Sequence, residues 1–292
     1  MILRILLAAL LFLAFAGTAH ARDEGICTPS SSGIAFGSFT GSDVEVTGSL
    51  VLVCAGNGRL NYTVTLSKGA GTYDARLMKQ GGNTLFYNLY SDTLHRTVWG
   101  DGTGGSRDVR GSVGLRGQAL QTEIVTIYAL LPAADLPSAG PYSDTIVATV
   151  TTDDGVKTSS FPVTAQAAPN CTISATNLAF RDYAGSQVDG QSEISLRCNP
   201  RLAWNVGLSP GNFPGATVSS RRMRGPSPAS LGYALYRDAA RTQNWGNIVG
   251  TDTLVGTGSG SPQIVNVFGR IPASQSAASG GYVDTIVATV TF

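Results

Sequence analysis

Four cysteines, one histidine with an aspartate near it, and two tryptophans in matching contexts are the residues of this chain whose chemistry a sequence can suggest. Cys27 and Cys54 stand 27 residues apart, and so do Cys171 and Cys198. Thiolates could hold a metal, but metal sites favour closer ligand spacing, and the only histidine beyond the first 21 residues is His95. In an exported chain an even count of cysteines at a repeated spacing reads as disulfides, and the repeat selects Cys27–Cys54 and Cys171–Cys198 from the three possible connectivities. Each bridge would close a loop worth roughly 3 to 4 kcal/mol in the chain-entropy picture. Asp92 and His95 lie close enough to pair across a turn, but a third partner and a nucleophile elbow are missing, so no catalytic residue, metal or cofactor is expected. Stacking on sugars by Trp99 and Trp245, as in a carbohydrate-binding module, is an alternative chemistry. Their repetition in both halves favours a role in the core.

These residues sit in a chain with the start of an exported protein. Arg4 is followed by an apolar run from Ile5 to Phe15 and the small-residue site Ala19-His20-Ala21, the pattern of a signal peptide over 1–21. No stretch approaches the ~18 apolar residues of a membrane span. Without Arg4 the 20 basic residues fall to 19, against 19 acidic ones. A neutral chain with three lysines has no cationic face for phosphate, and nucleic acid is not an expected partner. Charged residues are sparse, 36 glycines punctuate the chain, and helix-forming runs are missing beyond the leader, so an all-β class is expected.

The cysteine offset belongs to a whole-domain repeat. Ile34-Ala35-Phe36 answers Leu178-Ala179-Phe180, and Tyr87-Asn88-Leu89-Tyr90, Asp92 and Trp99-Gly100 answer Tyr233-Ala234-Leu235-Tyr236, Asp238 and Trp245-Gly246. Tyr142 to Val150 likewise answers Tyr282 to Val290. Two copies follow, 22–167 and 168–292, each the size of one core. In the first copy strands are predicted near Gly33–Phe39, Val44–Cys54, Leu60–Ser67, Thr84–Tyr90, Ile124–Leu131, Tyr142–Thr152 and Val156–Ala167, with Gly100 to Gly117 as a long loop. Short strands between turns, with a cysteine on each of the first two, suggest an immunoglobulin-like β-sandwich.

The copies end differently. In the first, Asp153-Asp154-Gly155 turns the chain into a further alternating segment whose Phe161, Val163, Ala165 and Ala167 share a face, so this half supplies its own last strand. Pro162 cannot donate a ladder hydrogen bond, which suits an edge strand. In the second copy no such segment follows the strand Tyr282 to Phe292. A sandwich short of one strand leaves an apolar groove and an open edge that another chain must fill. Ile286, Ala288, Val290 and Phe292 share one face of that strand and are expected to line the groove, and Asp144 and Asp284, at equivalent positions, suggest strand-start hydrogen bonding. Only about five residues separate Ala21 from Cys27, where a donated strand would need nearer ten at ~3.3 Å each. The chain therefore reads as one that accepts a strand and has none to give.

The cysteine-bearing start, the segments Leu89-Tyr90-Ser91-Asp92 and Leu235-Tyr236-Arg237-Asp238 with Trp99-Gly100 and Trp245-Gly246 after them, and the closing Tyr-x-Asp-Thr-Ile strand resemble the spore coat protein U domain family, which includes subunits of archaic-type chaperone-usher pili. A self-complete first domain joined to a strand-deficient second one is similar to the tip adhesins of such pili. The resemblance implies a periplasmic pilus chaperone, an outer-membrane usher and an adjacent pilin whose N-terminal donor strand enters the groove. It also implies export through the periplasm to the cell surface, attachment through hydrophobic loops, and biofilm formation. Candidate adhesive residues are Val109, Val113 and Leu115 in the glycine-rich stretch, and Leu130, Leu131 and Leu136 ahead of Tyr142. A secreted structural coat protein assembled by strand exchange is the alternative.

Overall fold

The computed structural model describes residues 25–292 apart from Gln118 and Asp135. The expected signal peptide of 1–21, and the residues between it and Gly25, lie outside the described residues. Eighteen strands account for the described secondary structure. They build two immunoglobulin-like sandwiches, each around its own core.

The first copy contains β1 (Gly25–Ser30), β2 (Ile34–Phe39), β3 (Val44–Gly56), β4 (Gly58–Leu66), β5 (Arg76–Gln80), β6 (Asn83–Tyr90), β7 (Val109–Leu115), β8 (Gln121–Leu131), β9 (Gly140–Thr152) and β10 (Gly155–Ala167). One layer runs β1-β3-β8-β6, and β6 also pairs β5 and so joins it to the other, in which β9 is flanked by β10 and β4, and β4 by β7. Alternation does the sorting: Leu50 and Leu52 on β3, Ile127 and Ala129 on β8, Val64 and Leu66 on β4, and Ile146 and Ala148 on β9 all point into one core. Tight burial in both layers holds the sandwich together.

Several expectations change. Cys27 lies on β1 and Cys54 on β3, paired across the ladder, with β2 between them in sequence. The predicted loop of 100–117 contains a strand, β7, whose Val113 and Leu115 face inward; Gly111, in phase with them, interrupts the apolar period. β10 is not an edge strand. It lies between β9, to which it runs antiparallel over its whole length, and β2, to which it runs parallel from Val163 onward. Pro162 is accommodated because the β2 ladder begins one residue after it.

The second copy repeats the plan with β11 (Cys171–Ala175), β12 (Val188–Cys198), β13 (Ala203–Leu208), β14 (Arg221–Arg224), β15 (Ser230–Tyr236), β16 (Leu254–Thr257), β17 (Gln263–Ile271) and β18 (Ala288–Thr291). One sheet has the order β11-β12-β17-β15-β14 and the other β16-β13-β18. Counterparts of β2 and β10 are absent among the described strands: 178–180 takes no ladder, and of the expected strand Tyr282 to Phe292 only 288–291 pairs continuously.

Candidate functional site

The backbone of 282–290 is paired on one side only. Ser209 N donates to Val287 O at 2.9 Å, and Val287 N donates to Ser209 Oγ at 2.9 Å. Arg224 and Val283 exchange N–H···O bonds of 2.8 and 2.9 Å. In an extended chain successive residues aim their backbone groups to opposite sides, so Asp284, Ile286 and Ala288 direct theirs to the other edge. Among the described residues no strand covers that edge. In the first copy the same positions, Asp144, Ile146 and Ala148, face β10.

Beside the open edge runs a groove of about 650 Å³, walled by Leu178 and Phe180 on one side and Ile286 and Ala288 on the other, with Ile194 and Val267 in its floor. The counterparts Ile34, Phe36, Ile146 and Ala148 are buried in the first core, where Phe161, Val163, Ala165 and Ala167 of β10 are buried with them. In the second copy Leu178, Phe180, Ile286 and Ala288 are only half-buried. Val290 packs on the same core but does not line the groove, and Phe292 is 52% exposed past the last ladder position. Of the four residues expected in the groove, Ile286 and Ala288 are there, and Val290 and Phe292 are not. Leu178 and Phe180, noted in the sequence only as repeat markers, form the opposite wall.

A polar frame carries both edges. Asp284 accepts from the Tyr233 hydroxyl at 2.7 Å and from the backbone N–H groups of Asn212 and Thr285 at 2.8 Å. Burial, followed by the hydrogen bond to Asp284, pushes the Tyr233 phenol far above its ordinary range. Arg221, fully buried, donates to the carbonyls of Ser209, Val218, Leu208 and Trp245 at 2.6–2.9 Å, and burial lowers its guanidinium from the ordinary value. The first copy repeats the frame: Tyr87 donates to Asp144 at 2.6 Å, and buried Arg76 to Ser67 O, Asn88 Oδ1 and Trp99 O. Trp99 Nε1 and Trp245 Nε1 reach the carbonyls of Val64 and Val206. The arginines escaped the sequence reading, although Arg76-Leu77-Met78 and Arg221-Arg222-Met223 repeat visibly.

The other candidate chemistry disperses. All four cysteines are consumed in the Cys27–Cys54 and Cys171–Cys198 bridges. Asp92 accepts backbone N–H groups from Leu94, Arg96 and Thr97, while His95 stands 3.8 Å from Glu45 and edge-on to Tyr90. Of the expected adhesive residues, Val113, Leu115 and Leu131 are no more than 5% exposed, because each is the inward member of an alternating strand. Val109, Leu130 and Leu136 are half-buried. Pro137, next to Leu136, faces the second copy and accepts from Asn199 Nδ2 at 2.6 Å.

The Spore Coat Protein U domain matches residues 15–149 and again 157–289, the second stretch taking in most of β10. The chain is 38% identical over 113 residues to "Protein U" of Myxococcus xanthus, a match covering 37% of this chain and 63% of that protein, so it spans less than two thirds of the relative's length. A similar solved structure is that of the CsuC–CsuE chaperone–tip adhesion subunit pre-assembly complex from archaic chaperone-usher Csu pili of Acinetobacter baumannii. It shares the fold with a TM-score of 0.55 at 16% identity, over 91% of this chain and 100% of the other.

Proposed function

Because the chain belongs to the spore coat protein U domain family, whose members are structural or adhesive subunits and not enzymes, we propose that it is the tip subunit of a chaperone-usher pilus. The observation that carries this reading is the contrast between two near-identical strands. Tyr142–Val150 is covered by β10 of its own chain, and among the described residues nothing covers Tyr282–Val290 along the same edge. A bare edge over an apolar groove is a site for β-strand addition, in which main-chain bonds give affinity and alternate side chains give fit. A periplasmic chaperone lends a strand first, and the N-terminal donor strand of the adjacent pilin replaces it at the outer-membrane usher. The first copy, already complete, is free to attach cells to surfaces and promote biofilm formation. The similarity in fold to a tip subunit solved in complex with its chaperone supports the chaperone as a partner.

The test is expression of the exported full chain with and without a pilus chaperone from its own assembly system. The soluble yield is expected to rise severalfold or more with the chaperone, followed by release of the chaperone when a peptide of the adjacent pilin's N-terminal segment is added. A chain recovered alone as a stable monomer that binds neither would sink the proposal. Likeness to Protein U favours a second reading, a structural coat subunit. Immunogold labelling separates the two, with label at fibre ends for a tip subunit and an even layer for a coat.

A further inference from the structure

The first copy holds a template for whatever fills the second. On β10 the inward residues shrink along the strand: Phe161 lies opposite Ile146, Val163 opposite Asp144 and Ile34, Ala165 opposite Tyr142, and Ala167 opposite Gly140 and Phe39. All four are buried. The repeat places Ile286, Asp284 with Leu178, Tyr282, and Gly280 with Tyr183 at the corresponding stations. Floor and walls keep their character: Leu50 becomes Ile194, Ile127 becomes Val267, and Met78 and Tyr87 recur as Met223 and Tyr233.

The wall opposite the open strand differs. Gly33, at φ 101°, lies so near β10 that a Cβ there would stand 2.5 Å from Pro162 O, whereas its counterpart is Asn177. Ile34 rests on Gly48, where a Cβ would stand 2.2 Å from Ile34 Cδ1. The counterpart of Gly48 is Ser192, and Leu178 rests instead against Gly190 and Gly269. The segment 178–180 therefore occupies a different seat from β2 and has no ladder.

Taking the strand-acceptor reading of the second copy as its basis, we propose that the occupant of this groove is an extended segment in the register of β10. It carries a large apolar side chain opposite Ile286, a β-branched one opposite Asp284, and alanine or glycine opposite Tyr282 and Gly280. On its far edge 178–180 forms a new parallel strand, moving the Asn177 side chain away from the place where Pro162 O would stand. The outward positions are polar, as Ser160, Thr164 and Gln166 are on β10.

Register can be read by a disulfide. The described chain has no free cysteine, so Thr285→Cys in the full chain introduces a single reactive thiol. A peptide of the β10 sequence from Lys157 to Ala167 with Pro162→Cys would set its thiol across from that position. This pair is of the non-hydrogen-bonded kind, with Cα atoms about 4.5 Å apart, within the range of a disulfide. Crosslinking is expected with this peptide and not with peptides carrying Ser160→Cys or Thr164→Cys. Unlinked peptide should lose about tenfold or more in affinity with Phe161→Ala, and should lose measurable binding with Ala165→Phe. Crosslinking at 160 or 164, or tolerance of Ala165→Phe, overturns the register while leaving strand addition intact. If no alternating peptide binds and none crosslinks, the strand-acceptor reading fails as well.

Discussion

Arg221 and Arg76 are held where arginine is seldom found, enclosed by the core and bonded chiefly to main-chain carbonyls. The planar fork explains the choice. Arg221 answers four carbonyls on three segments of chain, where an ammonium has one nitrogen to offer. Arg221→Lys is therefore expected to strand buried carbonyls of Leu208 and Trp245 and cost the second copy about 3 kcal/mol or more. Hydrogen exchange on β13 and β15 of the full chain would show that loss, with β3 and β8 unchanged. Exchange rates equal to wild type in both copies would contradict it. The pair Glu45–His95 in the first copy has a counterpart in Asp189, which faces Arg241 at 3.5 Å and receives two bonds from Arg270 at 2.7 and 2.9 Å. The Arg270 hydrogen bonds hold the Asp189 carboxyl below its usual range despite partial desolvation. His95 thus belongs to a repeated structural pair that clamps the turn after β6, and its counterpart Arg241 shares its left-handed backbone at φ 56° against 53°.

At the scale of the element the chain contains its own control. Tyr142–Val150 and Tyr282–Val290 differ at one residue, Ser143 against Val283, yet the first lies wholly within a 13-residue strand and the second pairs continuously only from Ala288. Local propensity is the same, so the difference comes from the partner strand. Hydrogen exchange should accordingly find the amides of Asp284, Ile286 and Ala288 fast in the unpartnered chain, and those of Asp144, Ile146 and Ala148 protected by β10. Addition of a strand peptide should remove the contrast, and equal protection in the free chain would mean the edge is already satisfied. The alternation of β9, β10 and β18 and the repeated cysteine spacing were legible because inward residues recur there without interruption. The parallel seat of β10 against β2 was not, since parallel pairing leaves no hairpin signal and Pro162 pointed to an edge. Nor were the groove's limits: Val290 and Phe292 continue the period of Ile286 and Ala288, but the groove stops short of them, Val290 packing on the core and Phe292 standing exposed.

Across the whole molecule, β10 fixes which end of the first copy is free. It ends at Ala167 and β11 begins at Cys171, so the second copy sits at the β10 C-terminal pole, where Asn199 meets Pro137. The opposite pole gathers the β3–β4 turn, the β7–β8 connection and the β9–β10 turn, where Gly25 N donates to Asp154 Oδ2 at 2.5 Å. The buried residues Val113, Leu115 and Leu131 cannot meet a surface, but Leu120, Ile124 and Val156, all at or near this pole, are more than half exposed. Apolar side chains left in water at one end of a molecule favour contact with an apolar partner, each worth on the order of 1.5 to 3 kcal/mol if fully covered. If the first copy attaches through this pole, changing Leu120, Ile124 and Val156 to Asp should reduce retention on polystyrene by roughly tenfold or more. Thermal unfolding should change little, because none of the three belongs to the core. Val113→Asp is the contrasting variant: it buries a charge within the sandwich and is expected to lose folding and attachment together. Retention unaffected by the triple change, in a chain that melts normally, would move the adhesive surface away from this pole.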